Sequence, residues 1–479
     1  MKIKLLKYLF IASCILLFVN QSNGQQLDLN FLNISSKDGL SSNLVNAIHK
    51  DKYGFMWFGT DDGLNKFDGE RFTVYRHKAE DAESISSNEI LYLFEDGRDN
   101  LWICTGSGLV MYDRDTDAFK NIASTKDFTT TSVCVFNNKV WLAHYSGLVI
   151  LDQESGEISE VPLKSKEYKS VLARGVLHLF KDSKNRLWIG TNAGLYIYNV
   201  KQQALEKFLH NSSDPQSIAS NYISQITEDL NGNIWVATEA GLSMLVKNTR
   251  KFINYRNNPN DINSLSNNIV YTIASAPDGK LWVGTEDGLN IVNPATKKVE
   301  RAAKNSRNKY GLVGKSVKEI YLDNQGIFWI ATFRGGINKY DKNLAFFNLR
   351  QSNHFDPFGL SAPVVTSFAK QTKNTIYIGT DGGGLNLYQT DNGSFKHIPV
   401  ANNPKEDKNL SILTMENDGN NLWIGTYLHG VFILNTQTGQ RKQIKAGNNP
   451  QSISDNNIFC LKRDSKGNMW IGTNGQGVD

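Results

Sequence analysis

The side chains best able to do chemistry in this sequence fall at one recurring place, a short turn that ends in glycine and in most copies starts from a threonine. These are His144 and Tyr145, Asn192, Glu239, Glu286 and Asp287, Phe333 and Arg334, then Tyr427 and His429. Variable residues on a fixed frame are where recognition usually resides. Aromatic faces beside amide, acid and guanidinium groups suit a sugar, whose ring has apolar faces and a hydroxyl rim. The acids Glu239, Glu286 and Asp287 could also form a glycosidase pair, or be solvated turn residues. No His-Glu-x-x-His, Gly-x-Ser-x-Gly or Gly-x-x-x-x-Gly-Lys-Ser/Thr pattern occurs, so no catalytic residue, metal or cofactor is implied. Turns such as Asp229-Leu230-Asn231-Gly232-Asn233 and Asp464-Ser465-Lys466-Gly467-Asn468 resemble calcium loops. A calcium loop needs more oxygen ligands and a closing bidentate acid, and here an apolar strand begins at once, so a tight hairpin is expected.

The frame that must position these turns is a repeat. Leu187-Trp188-Ile189-Gly190-Thr191-Asn192-Ala193-Gly194-Leu195 recurs with small edits, marked by Trp57, Trp102, Trp141, Trp188, Trp235, Trp282, Trp329, Trp423 and Trp470, with Tyr377 filling the one gap. The intervals are 45, 39, 47, 47, 47, 47, 48, 46 and 47 residues, the period of a four-stranded propeller blade. Each copy holds four short apolar runs: Glu89–Phe94, Leu101–Thr105, Leu109–Tyr112 and Phe119–Ile122 in the second. The run carrying the tryptophan is apolar or small at both parities, as expected of a strand covered on both faces. The ten marker aromatics are therefore expected to pack between blades, with the nearby glycine allowing close approach. A polar crossing ending in Ser-Ile/Leu-Ser-x-Asn, as in Ser84–Asn88 and Ser264–Asn268, leads to each new copy.

Ten copies exceed the four to eight blades usual in one ring, so the array should break. After the seventh copy, Asn353-His354-Phe355-Asp356-Pro357-Phe358-Gly359-Leu360-Ser361-Ala362-Pro363 replaces the usual crossing, and Tyr377 replaces tryptophan. The expectation is an all-β chain with a seven-bladed β-propeller over residues 25–345 and an incomplete second propeller, three blades present, over 346–479. Phe31-Leu32-Asn33-Ile34 resembles an outer strand without its own inner three, and could complete the seventh blade and remove its open edge. The third copy is irregular, its turn reduced to Asn137-Asn138-Lys139. The sequence stops inside the tenth copy, so a longer parent protein is expected.

Residues 1–24 combine Lys2, Lys4 and Lys7 with an apolar run from Tyr8 to Val19 and small or polar residues up to Gly24. This reads as a cleaved export signal; the run is short for a membrane span, and Ile11-Ala12-Ser13-Cys14 leaves a lipoprotein reading open. The net charge of +5 comes with no basic stripe, which argues against nucleic-acid contact by this region. Cys104, Cys134 and Cys460 are expected to be buried free thiols, a Cys104–Cys134 bridge being the alternative in an oxidising compartment.

Units of the form Asp-x-x-Gly-Asn-Leu-Trp-Ile-Gly-Thr-x-x-Gly-Leu preceded by Ser-Leu-Ser-x-Asn resemble the two-component regulator propeller repeat. The opening Asp38-Gly39-Leu40-Ser41-Ser42-Asn43, followed by Asp51 through Leu64, is similar to the start of the periplasmic sensors of hybrid two-component histidine kinases. The resemblance covers residues 25–479. It implies an exported sensor, tethered to the inner membrane through later parts of a dimeric parent, that responds to an oligosaccharide and regulates its utilisation genes. The family's phosphoacceptor histidine and receiver aspartate have no counterpart here, so kinase activity is implied for the parent alone. Two other readings stand beside it, a protein-docking scaffold and a propeller glycosidase or sialidase. Against the latter, the Asp464 to Trp470 spacing is longer than a sialidase Asp box, and Arg174, Arg186 and Arg334 are scattered.

Overall fold

The computed structural model describes Leu27, residues 29–302, 310–344, 350–352, 356–401, Asn403, 406–407 and 409–479. The export segment and Asn353-His354-Phe355 lie outside the described residues. Among the described residues the chain is all-β apart from short helical turns and one longer helix, Lys166–Leu172, in the crossing between the third and fourth copies. Ser165 caps that helix, its hydroxyl accepting from the Glu167 amide at 3.2 Å. Two compact units divide the chain, the first holding the described residues up to Leu344 and the second those from Arg350 onward.

The first unit contains seven four-stranded antiparallel sheets, spanning residues 45–75, 90–121, 130–160, 176–208, 223–255, 270–301 and 317–340. In six of them the four strands follow one another in sequence. The seventh takes its outer strand from Leu32–Ile34, which pairs with the third strand through Leu32↔Lys339, Asn33↔Asn338 and Ile34↔Ile337. The innermost strands are Val45–Lys50, Ile90–Glu95, Thr130–Phe136, Val176–Lys181, Ile223–Glu228, Val270–Ser275 and Val317–Leu322. Each lies against the next, and the last lies against the first. In such a cycle each sheet has a neighbouring sheet on both of its faces.

Local chemistry explains the sheets. In the fifth, Asp229 Oδ1 accepts the Asn231 and Asn233 amides at 2.9 and 3.0 Å, which fixes the hairpin between first and second strands. The other oxygen, Oδ2, accepts Trp235 Nε1 at 2.8 Å. The same clasp joins Asp51 to Trp57, Asp96 to Trp102, Asp182 to Trp188, Asp323 to Trp329 and Asp464 to Trp470. It lets an indole be buried without an unsatisfied N–H. The third sheet has no such aspartate, and Trp141 Nε1 donates to the Phe136 carbonyl at 3.2 Å.

The tryptophan strands are buried at every residue in six of the first unit's sheets, and at all but Lys139 in the third. Between the fourth and fifth sheets, Trp188 packs with Ile218, Ile223, Ile226 and Val236. Trp329 of the seventh meets Phe58 of the first at 5.7 Å between ring centroids, so the closing interface is packed like the others. A Cβ on Gly59 would lie 2.4 Å from Ile90 Cγ2 of the next sheet; the glycine sets how closely the sheets approach.

The second unit has two four-stranded sheets, residues 365–398 and 412–444, and a two-stranded one, Ile458–Arg463 with Met469–Thr473. Here two expectations need correction. Trp470 is 53% exposed, because among the described residues no sheet packs on that face, and Cys460 is exposed for the same reason. Cys104 and Cys134 are buried and free, not bridged.

Candidate functional site

Every innermost strand of the first unit contains the same irregularity. In the first sheet Val45 pairs with Thr60 and Ala47 with Gly59, so Asn46 is an extra residue. Leu91, Thr131, Leu177, Ser224, Tyr271 and Lys318 are its equivalents. A bulge interrupts the alternation of a strand, so two successive side chains can face the axis instead of one. Leu91 and Tyr92, Leu177 and His178, Ser224 and Gln225, and Lys318 and Glu319 all line one central cavity of about 440 Å³. All seven sheets contribute to it.

The bulges also bond neighbouring sheets together. Asn46 Nδ2 donates to the Ile90 carbonyl at 3.0 Å and Thr131 Oγ1 to the Val176 carbonyl at 2.7 Å. The Leu179 amide donates to Ser132 Oγ at 3.1 Å, and that of Ile320 to Thr272 Oγ1 at 3.1 Å. These bonds satisfy backbone groups that the bulge frees, and they make the cavity wall continuous.

Four tyrosines, Tyr92, Tyr145, Tyr222 and Tyr271, stand in that wall beside Glu239, Lys318, Glu319 and His178. Tyr271 donates its hydroxyl proton to Glu286 Oε2 at 2.7 Å, and Ser316 Oγ donates to the same oxygen at 3.0 Å. Lys318 Nζ lies 3.7 Å from that oxygen and 3.5 Å from the Tyr271 ring centroid. The Tyr271 hydrogen bond holds the Glu286 carboxyl below its usual range. Burial lowers the Lys318 ammonium against the pull of Glu286. Burial raises Tyr271 to about 12, with Glu286 adding to it.

Glu319 is only partly exposed, and burial pushes it up to about 8 despite a hydrogen bond from Thr272. His178 is 7% exposed, and burial pulls it down to about 4. Its Nδ1 has no protein partner, and its ring meets Tyr92 edge-on at 5.9 Å. At neutral pH this histidine is uncharged.

Of the turn residues singled out in the sequence, the structure brings Tyr145 and Glu239 to this cavity, with Glu286 one hydrogen bond behind Tyr271. Phe333 is 45% exposed, with the Arg334 guanidinium 5.2 Å and Lys318 Nζ 5.6 Å from its ring centroid. Asp287 pairs with Lys315 at 2.8 Å. Asn192 Nδ2 donates to the Arg174 carbonyl at 2.5 Å, a loop-fixing bond. His144 does not face the channel: it is 5% exposed and stacked on Phe128 at 4.0 Å, with Ser146 on its Nδ1. Its register explains this: His144 pairs with Gly147 as Thr191 pairs with Gly194, so it holds the strand position of a threonine that is fully buried in the first unit's other sheets. Tyr427 and His429 belong to the second unit, where His429 Nδ1 lies 2.8 Å from Glu406.

Tyr92, His178, Tyr222, Tyr271, Lys318 and Glu319 escape a reading that looks only at turns. A signal for the strand residues was present. Val317-Lys318-Glu319-Ile320, Ile223-Ser224-Gln225-Ile226 and Val270-Tyr271-Thr272-Ile273 place two residues between apolar ones where strict alternation allows one, the spacing of a bulge. Among the described residues, no group of three or more His, Cys, Asp or Glu side chains is placed to hold a metal. Nor is any described helix long and apolar enough to cross a membrane.

The two-component regulator propeller family matches residues 39–62, 170–193, 264–287 and 452–475. A 56-residue segment, 12% of this chain and 4% of the relative, is 52% identical to histidine kinase P4 of Formosa agariphila. Among solved structures, the extracellular domain described as part of a hybrid two-component system of B. thetaiotaomicron aligns with a TM-score of 0.67 and 26% identity, over 94% of this chain. This chain spans 65% of that domain's length. A second such domain from the same organism, 19% identical, shares the fold with a TM-score of 0.56, over 94% of this chain and 65% of its own.

Proposed function

We infer, from four segments that match the two-component regulator propeller repeat, an extracytoplasmic ligand-binding region of a hybrid two-component histidine kinase. It is exported, held at the inner membrane by other parts of the parent, and works by binding, not turnover. In this reading residues 25–345 are a seven-bladed propeller and 346–479 part of a second. The signal is an oligosaccharide, and it biases a dimeric parent by binding one arrangement better than the other.

The observation that carries the reading is the cavity at the axis of the first unit, where Tyr145, Tyr222 and Tyr271 offer faces and Glu239, Gln225 and Asn46 offer hydrogen bonds. Phe333, Arg334 and Asp287 extend the surface around Lys318 and Glu286. Tyr427 and His429 are the corresponding candidates in the second unit. Calorimetric titration of the purified chain against a glycan panel tests this. Binding of a saccharide, weakened at least tenfold by Tyr145→Ala or Glu239→Gln, is the expected result. No glycan bound, with a protein captured instead, replaces it with a docking scaffold.

A further inference from the structure

The charges in the channel wall do not balance. Lys318 is committed to Glu286 and to the Tyr271 ring. Glu239 receives a hydrogen bond from the Ser220 hydroxyl at 3.3 Å, and Glu319 one from Thr272. Among the described residues neither carboxyl has an ion-pair partner, and His178 is neutral. Two acids therefore line one semi-enclosed space with no cation paired to either: Glu239, exposed to solvent there, and Glu319, whose carboxyl is mostly uncharged until a cation approaches. Three tyrosine rings, Tyr92, Tyr145 and Tyr222, border the same space, and a cation over an aromatic face is stabilised by the ring quadrupole. The channel already shows this with its own lysine, 3.5 Å from Tyr271.

We propose that the channel of the first unit binds an amine-bearing sugar of a cationic saccharide, its ammonium group matched by Glu319 and Glu239 and its ring held against Tyr92, Tyr145 and Tyr222. This rests on the sensor reading above and specifies its ligand class. The cavity volume of about 440 Å³ lies in the range of small-molecule sites. Anionic saccharides are disfavoured by Glu239, and by Glu319 wherever it ionises. Lys318 does not reverse this, because Glu286 already pairs with it. Burial keeps Glu319 mostly protonated when the channel is empty. Arrival of the ammonium favours its ionised form, so binding releases a proton to solvent. The other titratable groups lining the space are His178, Glu239, Lys318 and the four tyrosines, with Glu286 behind Tyr271.

The test uses the full chain with three probes: glucosamine oligomers, the same oligomers N-acetylated, and glucose oligomers of equal length. Calorimetry in buffers of different ionisation enthalpy reads affinity and proton release together. The expected result is binding of the glucosamine oligomer, at least tenfold weaker binding of the two neutral ones, and proton release that disappears in Glu319→Gln. Glu239→Gln is expected to weaken the glucosamine oligomer at least tenfold, with thermal melting showing that both variants fold. Equal affinity for charged and neutral oligomers overturns the proposal and leaves the sensor reading standing. Unchanged binding and proton release in Glu319→Gln overturn it as well. No binding by any of these or by the wider glycan panel overturns both.

Discussion

Trp235 in the first unit and Trp470 in the second occupy the same place in the repeat and make the same bond, to Asp229 at 2.8 Å and to Asp464 at 3.1 Å. Trp235 is fully buried and Trp470 is 53% exposed. The hairpin clasp therefore forms whether or not the indole is covered, while burial requires the innermost strand of a following sheet. The inner-strand bulges show the same split. Cys460, the register equivalent of Glu319, sits beside a like bulge yet is exposed, because among the described residues no sheet follows the two-stranded one.

Thiol labelling gives the widest separation between the two units. In a chain lacking residues 1–24, Cys460 should react with an aromatic disulfide reagent at least roughly a thousandfold faster than Cys104 and Cys134. Burial raises both of those to about 12. Comparable rates for all three thiols would mean that the first unit's sheets open readily. Tryptophan truncation should follow the same division. Trp235→Ala should cost about 4 kcal/mol by denaturant unfolding, against under about 1 kcal/mol for Trp470→Ala. Equal losses would show that the clasp, not the following sheet, supplies the stability.

The closed channel makes a third difference, visible with pH. Glu319 has a folded-state value near 8, above its ordinary 4.5, so its contribution is fully present below about 4.5 and is lost as pH rises through about 8. Glu319→Gln should be more stable than the parent sequence above pH 8, on the order of 3 kcal/mol, with the gain vanishing in acid. His178 runs the other way. Its folded value near 4 is below the ordinary 6.5, so its contribution is present above about 6.5 and is lost as pH falls through about 4. His178→Asn should flatten the acid limb of melting temperature against pH.

The smaller tests concern the clasp alone. Asp229→Ala leaves two hairpin amides and a buried indole N–H without their acceptor, an expected loss of about 2 kcal/mol. The sixth sheet has Ala276 at the clasp position, with the hairpin backbone bonds intact. Ala276→Asp would supply the acceptor for Trp282, with an expected gain of about 0.5 to 1 kcal/mol in thermal unfolding. A loss there would show that the sixth interface has no room for the carboxylate.

Much of the fold was legible because the repeat encodes it locally. The Asp-x-x-Gly turn, the tryptophan six residues after the Asp, and the Thr-x-x-Gly reversal each form within one hairpin, and Thr238 Oγ1 donating to the Gly241 carbonyl at 2.7 Å is typical. Leu32–Ile34 was recognisable as an outer strand by its likeness to Phe119–Ile122. The site was less legible. Tyr145 and Glu239 stand out by composition, but His144 in the adjacent position is consumed by packing on Phe128. His144 pairs with Gly147 as Thr191 pairs with Gly194, so it takes the place of the buried threonine and not of a turn residue.

The sequence by itself determined the strands, their hairpins and the indole clasps, because those depend on neighbours within about ten residues. It did not determine which of those indoles are covered, nor that Tyr92, His178 and Glu319 share one space. Those residues are 86 and 141 positions apart in succession, and they meet only because seven innermost strands close on themselves. Proximity across a ring is a property of how many sheets pack and at what spacing. No single repeat carries that information.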